Sequence, residues 1–172
     1  LTAVAAQVAL RLPFSPVPVT LQVLAVIASG FALGPRGGWA SQVGYLAAGA
    51  VGLPVFAGGT GGLPVLLGPT AGYLVGFPAA AFVAGLLGQK IGKLGWGMRL
   101  VAGLCAASVI YVGGAVWLTA WLVAVDGGNL TSAISSAWLW GVRPFLVADL
   151  AKGIVASGVV DGARHLVGRL HG

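Results

Sequence analysis

Residues 37–89 read GGWASQVGYLAAGAVGLPVFAGGTGGLPVLLGPTAGYLVGFPAAAFVAGLLGQ, 53 consecutive positions without an Asp, Glu, Lys or Arg, bounded by Arg36 and Lys90. A helix crossing a hydrocarbon core about 30 Å thick needs roughly 20 apolar residues, so a gap of this length holds two crossings and the turn between them. Residues 37–53 and 69–88 are the two apolar halves, and the Gly- and Pro-rich stretch 52–70 separates them. A second uncharged gap, between Arg11 and Arg36, fits one crossing at residues 17–34.

Composition points the same way. Of 172 residues 58% are hydrophobic and 7% are charged, against roughly 25% charged in an average soluble domain. Nine Lys and Arg with three Asp and no Glu cannot coat a water-facing globule, so most of the surface must face lipid. The net charge of +6 is scattered and carries no nucleic-acid footprint. One cysteine, Cys105, excludes an internal disulfide, and no Cys or His cluster has metal-ligand spacing. Neither cofactor nor metal is implied.

Residues 100–125 form a further span, and the apolar stretch from Phe145 to Val160, bracketed by Pro144 and Gly162, forms the last. Leu1 to Leu10 are apolar and too short to cross, which places the start of the chain inside a first helix. The expectation is an all-α integral membrane bundle of six transmembrane helices, a single domain over residues 1–172, with roughly 50 residues left for loops. Six spans put both termini on one side. Arg36, Lys90, Lys93, Arg99, Arg164 and Arg169 then share that side, while Arg11 and Arg143 lie opposite, so the positive-inside rule makes the termini cytoplasmic and the location the plasma membrane. Trp39 and Trp96 beside the basic loops, and Trp138 and Trp140 near the other boundary, fit interfacial belts as well as packing within the bundle.

Two segments on the outer side cannot be simple spans. Residues 12–22, LPFSPVPVTLQ, hold three prolines, each without an N–H donor. Residues 52–70 are rich in Gly and Pro. Irregular backbone at membrane depth is tolerated where protein buries it or a cavity lies beside it, so both are candidate lids or walls of an outward-opening pocket. The run GGTGG at 58–62 serves a flexible turn or a binding loop equally well, but it matches no nucleotide motif, so the chain cannot use ATP by itself. Small residues four apart (Ala5 and Ala9, Gly72 and Gly76, Gly88 and Gly92, Gly158 and Gly162) permit close helix approach.

Asp149 and Lys152, in RPFLVADLAKGIVA, are the ionisable residues inside a span, where a charge costs at least about 2.5 kcal/mol and marks function by default. Three apart on a helix they share one face, which Phe145 and Ala156 extend. Counted back from Arg164, they stand about 22 and 18 Å above the cytoplasmic edge, level with the two irregular segments. The pair reads as an internal salt bridge, as a proton relay, or as the polar patch of an apolar pocket for a small amphiphile, walled by Phe14, Phe56, Tyr73 and Trp138.

Three of these runs together, LPFSPVPVTLQ (12–22), GLPVFAGGTGGLPVLLGPTAGYLVGF (52–77) and PFLVADLAK (144–152), resemble BioY, the family of biotin-binding S-components of energy-coupling-factor (ECF) transporters. The resemblance runs in order over nearly the whole chain. It implies a six-helix S-component fold and high-affinity biotin uptake. It also implies a partnership with a transmembrane coupling protein and a pair of ABC-type ATPases. The family's acid and lysine fall on Asp149 and Lys152, and its GPT-x-GY element on Gly68, Pro69, Thr70, Gly72 and Tyr73. The first helix of such proteins carries a small-residue pair for docking the coupling protein, here Ala5 and Ala9. Arg143 before the Pro-Phe pair and Ala148 before the aspartate depart from the usual pattern.

Biotin suits the site read from the residues: an apolar body, a ureido group with two donors and one acceptor, and a carboxylate. Asp149 is assigned to a ureido N–H and Lys152 to the ureido carbonyl or the carboxylate, with Arg11 or Arg143 steering the anion at the entrance. An S-component for another vitamin is the alternative within the class. An intramembrane enzyme is the alternative outside it, and His165 and His171 lie far along the chain from the charged pair.

Overall fold

A computed structural model describes residues 1–91, 96–127 and 129–146, which are mostly helical. The chain opens with α1 (Thr2–Gln7), then β1 (Ala9–Leu10) and β2 (Val19–Thr20), which pair antiparallel with Ala9 opposite Thr20 and Leu10 opposite Val19. The apolar opening is thus a helix for six residues only, and the all-helical expectation missed this hairpin. The prolines explain it: Pro13, Pro16 and Pro18 bar helix between the strands, and the chain closes on itself by pairing.

Helix α2 (Gln22–Ala50) is two helices folded back on one another at Gly34, whose φ of 73° no L side chain adopts readily, with Pro35 restarting the helix. The fold-back shows in the pairs it brings together. Gln22 bonds Tyr45, Ser29 bonds Gln42, and a Cβ on Gly38 would come within 2.8 Å of Gly30 Cα. The expected division at Arg36 between two helices is therefore where the chain turns. Each half is shorter than the roughly 20 residues of a full crossing.

Helix α3 (Leu63–Leu67) is a short turn leading to α4 (Ala71–Ile91). Helix α4 runs from Tyr73, which meets Gly114, and Phe77, which faces Tyr45, to Gly85 and Gln89, which face the turn at Gly34. Helix α5 (Trp96–Asp126) returns antiparallel along it, Gly76 meeting Ile110 and Gly72 meeting Gly113 and Trp117. The small residues Gly72 and Gly76 thus close a contact inside the bundle, where a side chain would hold the helices apart. Helix α6 (Leu130–Gly141), capped by the Asn129 side chain on Thr131 N at 3.0 Å, packs Ala133, Ala137 and Gly141 inward. This helix went unassigned from sequence, because twelve Ser-containing residues are too few for a span.

Among the described helices, Ala71–Gln89 and Gly97–Val125 are long and apolar enough to cross a membrane. On α5, Val101, Leu104, Val112 and Val116 are exposed while Ala102, Ala106, Ile110 and Leu118 are buried. An exposed face this apolar is the mark of a surface turned to lipid. Cys105 lies on that exposed face. The cations divide by ends as well. Arg36 follows the turn at Gly34, and Lys90 and Arg99 flank the connection from α4 to α5. Arg11 and Arg143 lie at the other end, beside Gly58 and Gly141 respectively.

Candidate functional site

At the end of the bundle marked by Tyr73, the elements part around a cavity of about 380 Å³, within the range of small-molecule sites. Both irregular segments wall it: Arg11 to Pro18 on one side and Phe56, Ala57 and Thr60 on the other. Tyr73, Leu74 and Phe77 of α4, Ile110 and Tyr111 of α5, and Phe145 supply the rest of an apolar interior. The rings stand in two groups. Tyr45 meets Phe56 edge-on at 5.5 Å and stacks near Phe77 at 6.3 Å, while Phe145 lies 6.3 Å from Tyr73 and 6.2 Å from Tyr111. Such pairs are worth about 0.5 to 1.5 kcal/mol each beyond their burial, which fixes the walls.

The polar groups around the cavity are mostly engaged in holding its shape. Thr20 Oγ1 donates to Gln22 Oε1 (3.0 Å), Gln22 Nε2 donates to Tyr45 Oη (2.7 Å), and Tyr45 Oη donates to the Val55 carbonyl (3.1 Å). This chain ties the start of α2 to the loop after it. A proline-rich segment lacks backbone donors of its own, and Ser15 compensates: its Oγ donates to the Trp140 carbonyl at 2.7 Å and accepts from Val17 N at 3.1 Å. Tyr73 Oη donates to the Gly141 carbonyl at 2.9 Å, so Tyr73 offers the cavity its ring and uses its hydroxyl to hold the end of α6.

The loop 51–62 owes its form to glycine at two places. Gly58 and Gly59 both have φ of 70°, which closes the turn that Phe56 N makes to the Thr60 carbonyl (2.9 Å). Gly49 on α2 lies flat against the Phe56 ring, where a Cβ would overlap it, and Phe56 is 1% exposed.

Of the residues singled out from sequence, Phe56, Thr70 and Tyr73 line the cavity. Gly68 does not; its carbonyl accepts from Trp117 Nε1 at 2.9 Å. Phe14 is exposed and is not among the residues that line the cavity. Asp149 and Lys152 lie outside the described residues. Ala5 and Ala9 do not share a helix face: α1 ends at Gln7, and Ala9 pairs with Thr20 in β1 and borders the cavity. Sequence reading passed over Gln22, Ile110 and Tyr111. Gln22 carried a usable signal, an amide buried at the start of an apolar helix; the other two are indistinguishable in sequence from ordinary core.

Comparison with known proteins matches the chain to the family described as "BioY family" over residues 1–169. A protein of Pyrococcus horikoshii named "Probable biotin transporter BioY" is 40% identical over 91% of this chain and 85% of its own length. The "Biotin transporter BioY" of Thermotoga maritima is 39% identical over 86% of this chain and 81% of its own. A crystal structure of the S-component for biotin from an ECF-type ABC transporter superposes with a TM-score of 0.74 at 26% identity, covering 95% of this chain and 85% of that one.

Proposed function

The chain belongs to the BioY family, and from that premise we propose that it is the biotin-binding S-component of an ECF-type transporter. The observation that carries the reading is the cavity. Two of the three runs that resemble the family, 12–22 and 52–77, supply most of its wall, Phe145 of the third joins them, and its apolar interior suits a small amphiphile.

Six crossings take α4 and α5 as full spans and set the two shorter, folded-back halves of α2 in the membrane beside them. The end holding Arg36, Lys90 and Arg99 faces the cytoplasm with both termini, and the cavity opens outward. In the sequence Asp149 and Lys152 follow Phe145 by four and seven residues, the spacing of one helix face, and Phe145 is a cavity wall. Asp149 takes a ureido N–H of biotin, and Lys152 takes the ureido carbonyl. Phe56, Thr70 and Tyr73 complete the pocket. Uptake is driven by a coupling membrane protein and a pair of ABC-type ATPases, because the chain has no nucleotide motif.

Isothermal titration of the purified protein with biotin tests the reading. Saturable one-site binding supports it. Failure to bind biotin, with another vitamin identified by mass spectrometry in the purified protein, would replace biotin by that vitamin.

A further inference from the structure

We infer that Arg11 is the carboxylate anchor of this site, holding the acid end of the ligand at the cavity rim while the ring system lies against the aromatic interior. The inference rests on the biotin reading above and adds to it the residue that selects an anion.

Among the described residues, Arg11 and Arg143 stand at the cavity end of the bundle. Both are exposed, but Arg11 lines the cavity and Arg143 does not. Arg11 follows β1 directly, so the pairing of Leu10 with Val19 fixes its backbone at the rim. Its guanidinium lies next to the facing turn. Nη2 of Arg11 lies 3.0 Å from the position a Cβ would take on Gly58, so the guanidinium reaches across the rim to that turn. The same turn is held to α1 by Gln7 Nε2, which donates to the Phe56 carbonyl at 3.4 Å.

Arg11 is the one cation among the described residues that line the cavity. Thr20 and Gln22 are bonded to each other, and the Tyr73 hydroxyl is bonded to Gly141. No hydrogen bond or ion pair of Arg11 occurs among the described residues. A guanidinium at a partly water-filled rim presents a planar fork that matches a carboxylate in two parallel hydrogen bonds. The polarity of the cavity then sets the ligand's direction, with apolar rings inward and the acid outward.

The test compares biotin with biotinamide, which has the same rings and chain and no charge, by titration of the purified chain. The parent should prefer biotin. Arg11→Gln should weaken biotin by roughly 10-fold to 100-fold, the range for a hydrogen bond to a charged group, and leave biotinamide unchanged. Arg11→Lys should recover part of the loss, and Arg143→Gln should leave biotin affinity as it was. Equal binding of biotin by Arg11→Gln and the parent would overturn the assignment and move the carboxylate to another cation. Loss of both ligands in Arg11→Gln would overturn it too, by making Arg11 a support of the wall. A parent that binds neither ligand would sink the biotin reading, and this inference with it.

Discussion

The two ends of α4 do opposite things with the same apolar sequence. Toward its start, Tyr73, Leu74 and Phe77 are large and buried, yet the helices around them stand apart and enclose a cavity. Toward its end, Ala80, Ala81, Ala84 and Gly85 are buried against backbone, and the turn of α2 presses into them. A Cβ on Gly85 would overlap Gly34 and Pro35, and one on Gly30 would overlap the Ala81 carbonyl. In lipid no hydrophobic force drives helices together, so backbone proximity at small residues has to do it. The tight end supplies that contact, and the open end can then be shaped for a solute.

The comparison predicts that substitutions at the open end remove the ligand and those at the tight end remove the fold. The largest effect is expected for Asp149→Asn and Lys152→Met. Each leaves a charged partner uncompensated, at about 3 to 5 kcal/mol, so biotin titration should register almost no binding by either variant. Elution of both as folded monomers with biotin affinity like the parent's would show that the pair is no part of the site. Next, Gly85→Ala forces backbone apart and should lower stability by about 1 to 3 kcal/mol, read as a fall in melting temperature in detergent. The surviving folded protein should bind biotin normally. A variant as stable as the parent would mean the tight end is looser than its contacts imply.

Tyr73→Phe sharpens the contrast, since it removes one hydroxyl and keeps the ring. Leaving the buried Gly141 carbonyl without its donor should cost about 1 to 3 kcal/mol of stability, with biotin affinity falling less than ten-fold. A larger loss of affinity at full stability would assign the hydroxyl to the ligand. The smallest effect is a labelling pattern. With Cys105 first replaced by Ser, an impermeant thiol reagent applied from outside should modify Ala57→Cys and spare Gly37→Cys. Saturating biotin should slow the reaction at Ala57→Cys. Reaction of Gly37→Cys from outside would break the proposed orientation.

The sequence made legible what charge and composition control. The charge at Arg36 between two uncharged gaps marked the fold-back of α2, and the Pro- and Gly-rich runs at 12–22 and 52–70 marked the cavity walls, because irregular backbone in an apolar chain needs a reason to exist. What stayed hidden rests on contacts too short or too distant for a pattern. Two-residue strands have no period to detect, so Ala9 read as helix and was paired with Ala5. Phe14 and Phe56 look alike in sequence; only Gly49, opposite the ring, separates the buried one from the exposed one. The role of Tyr73 was half visible. Its place in a motif was plain, while the bond to Gly141 spans 68 positions.

That bond also limits how the site can be redesigned. A pocket meant for a bulkier vitamin could be widened at Tyr73, one of two rings that α4 brings to the wall. Trimming it would free the last carbonyl of α6, and with it the anchor point just ahead of Phe145. Widening at Ile110 or Leu74 carries no such penalty, since neither side chain has a polar atom for a neighbouring helix to lean on. An engineer of new specificity would do better to start there.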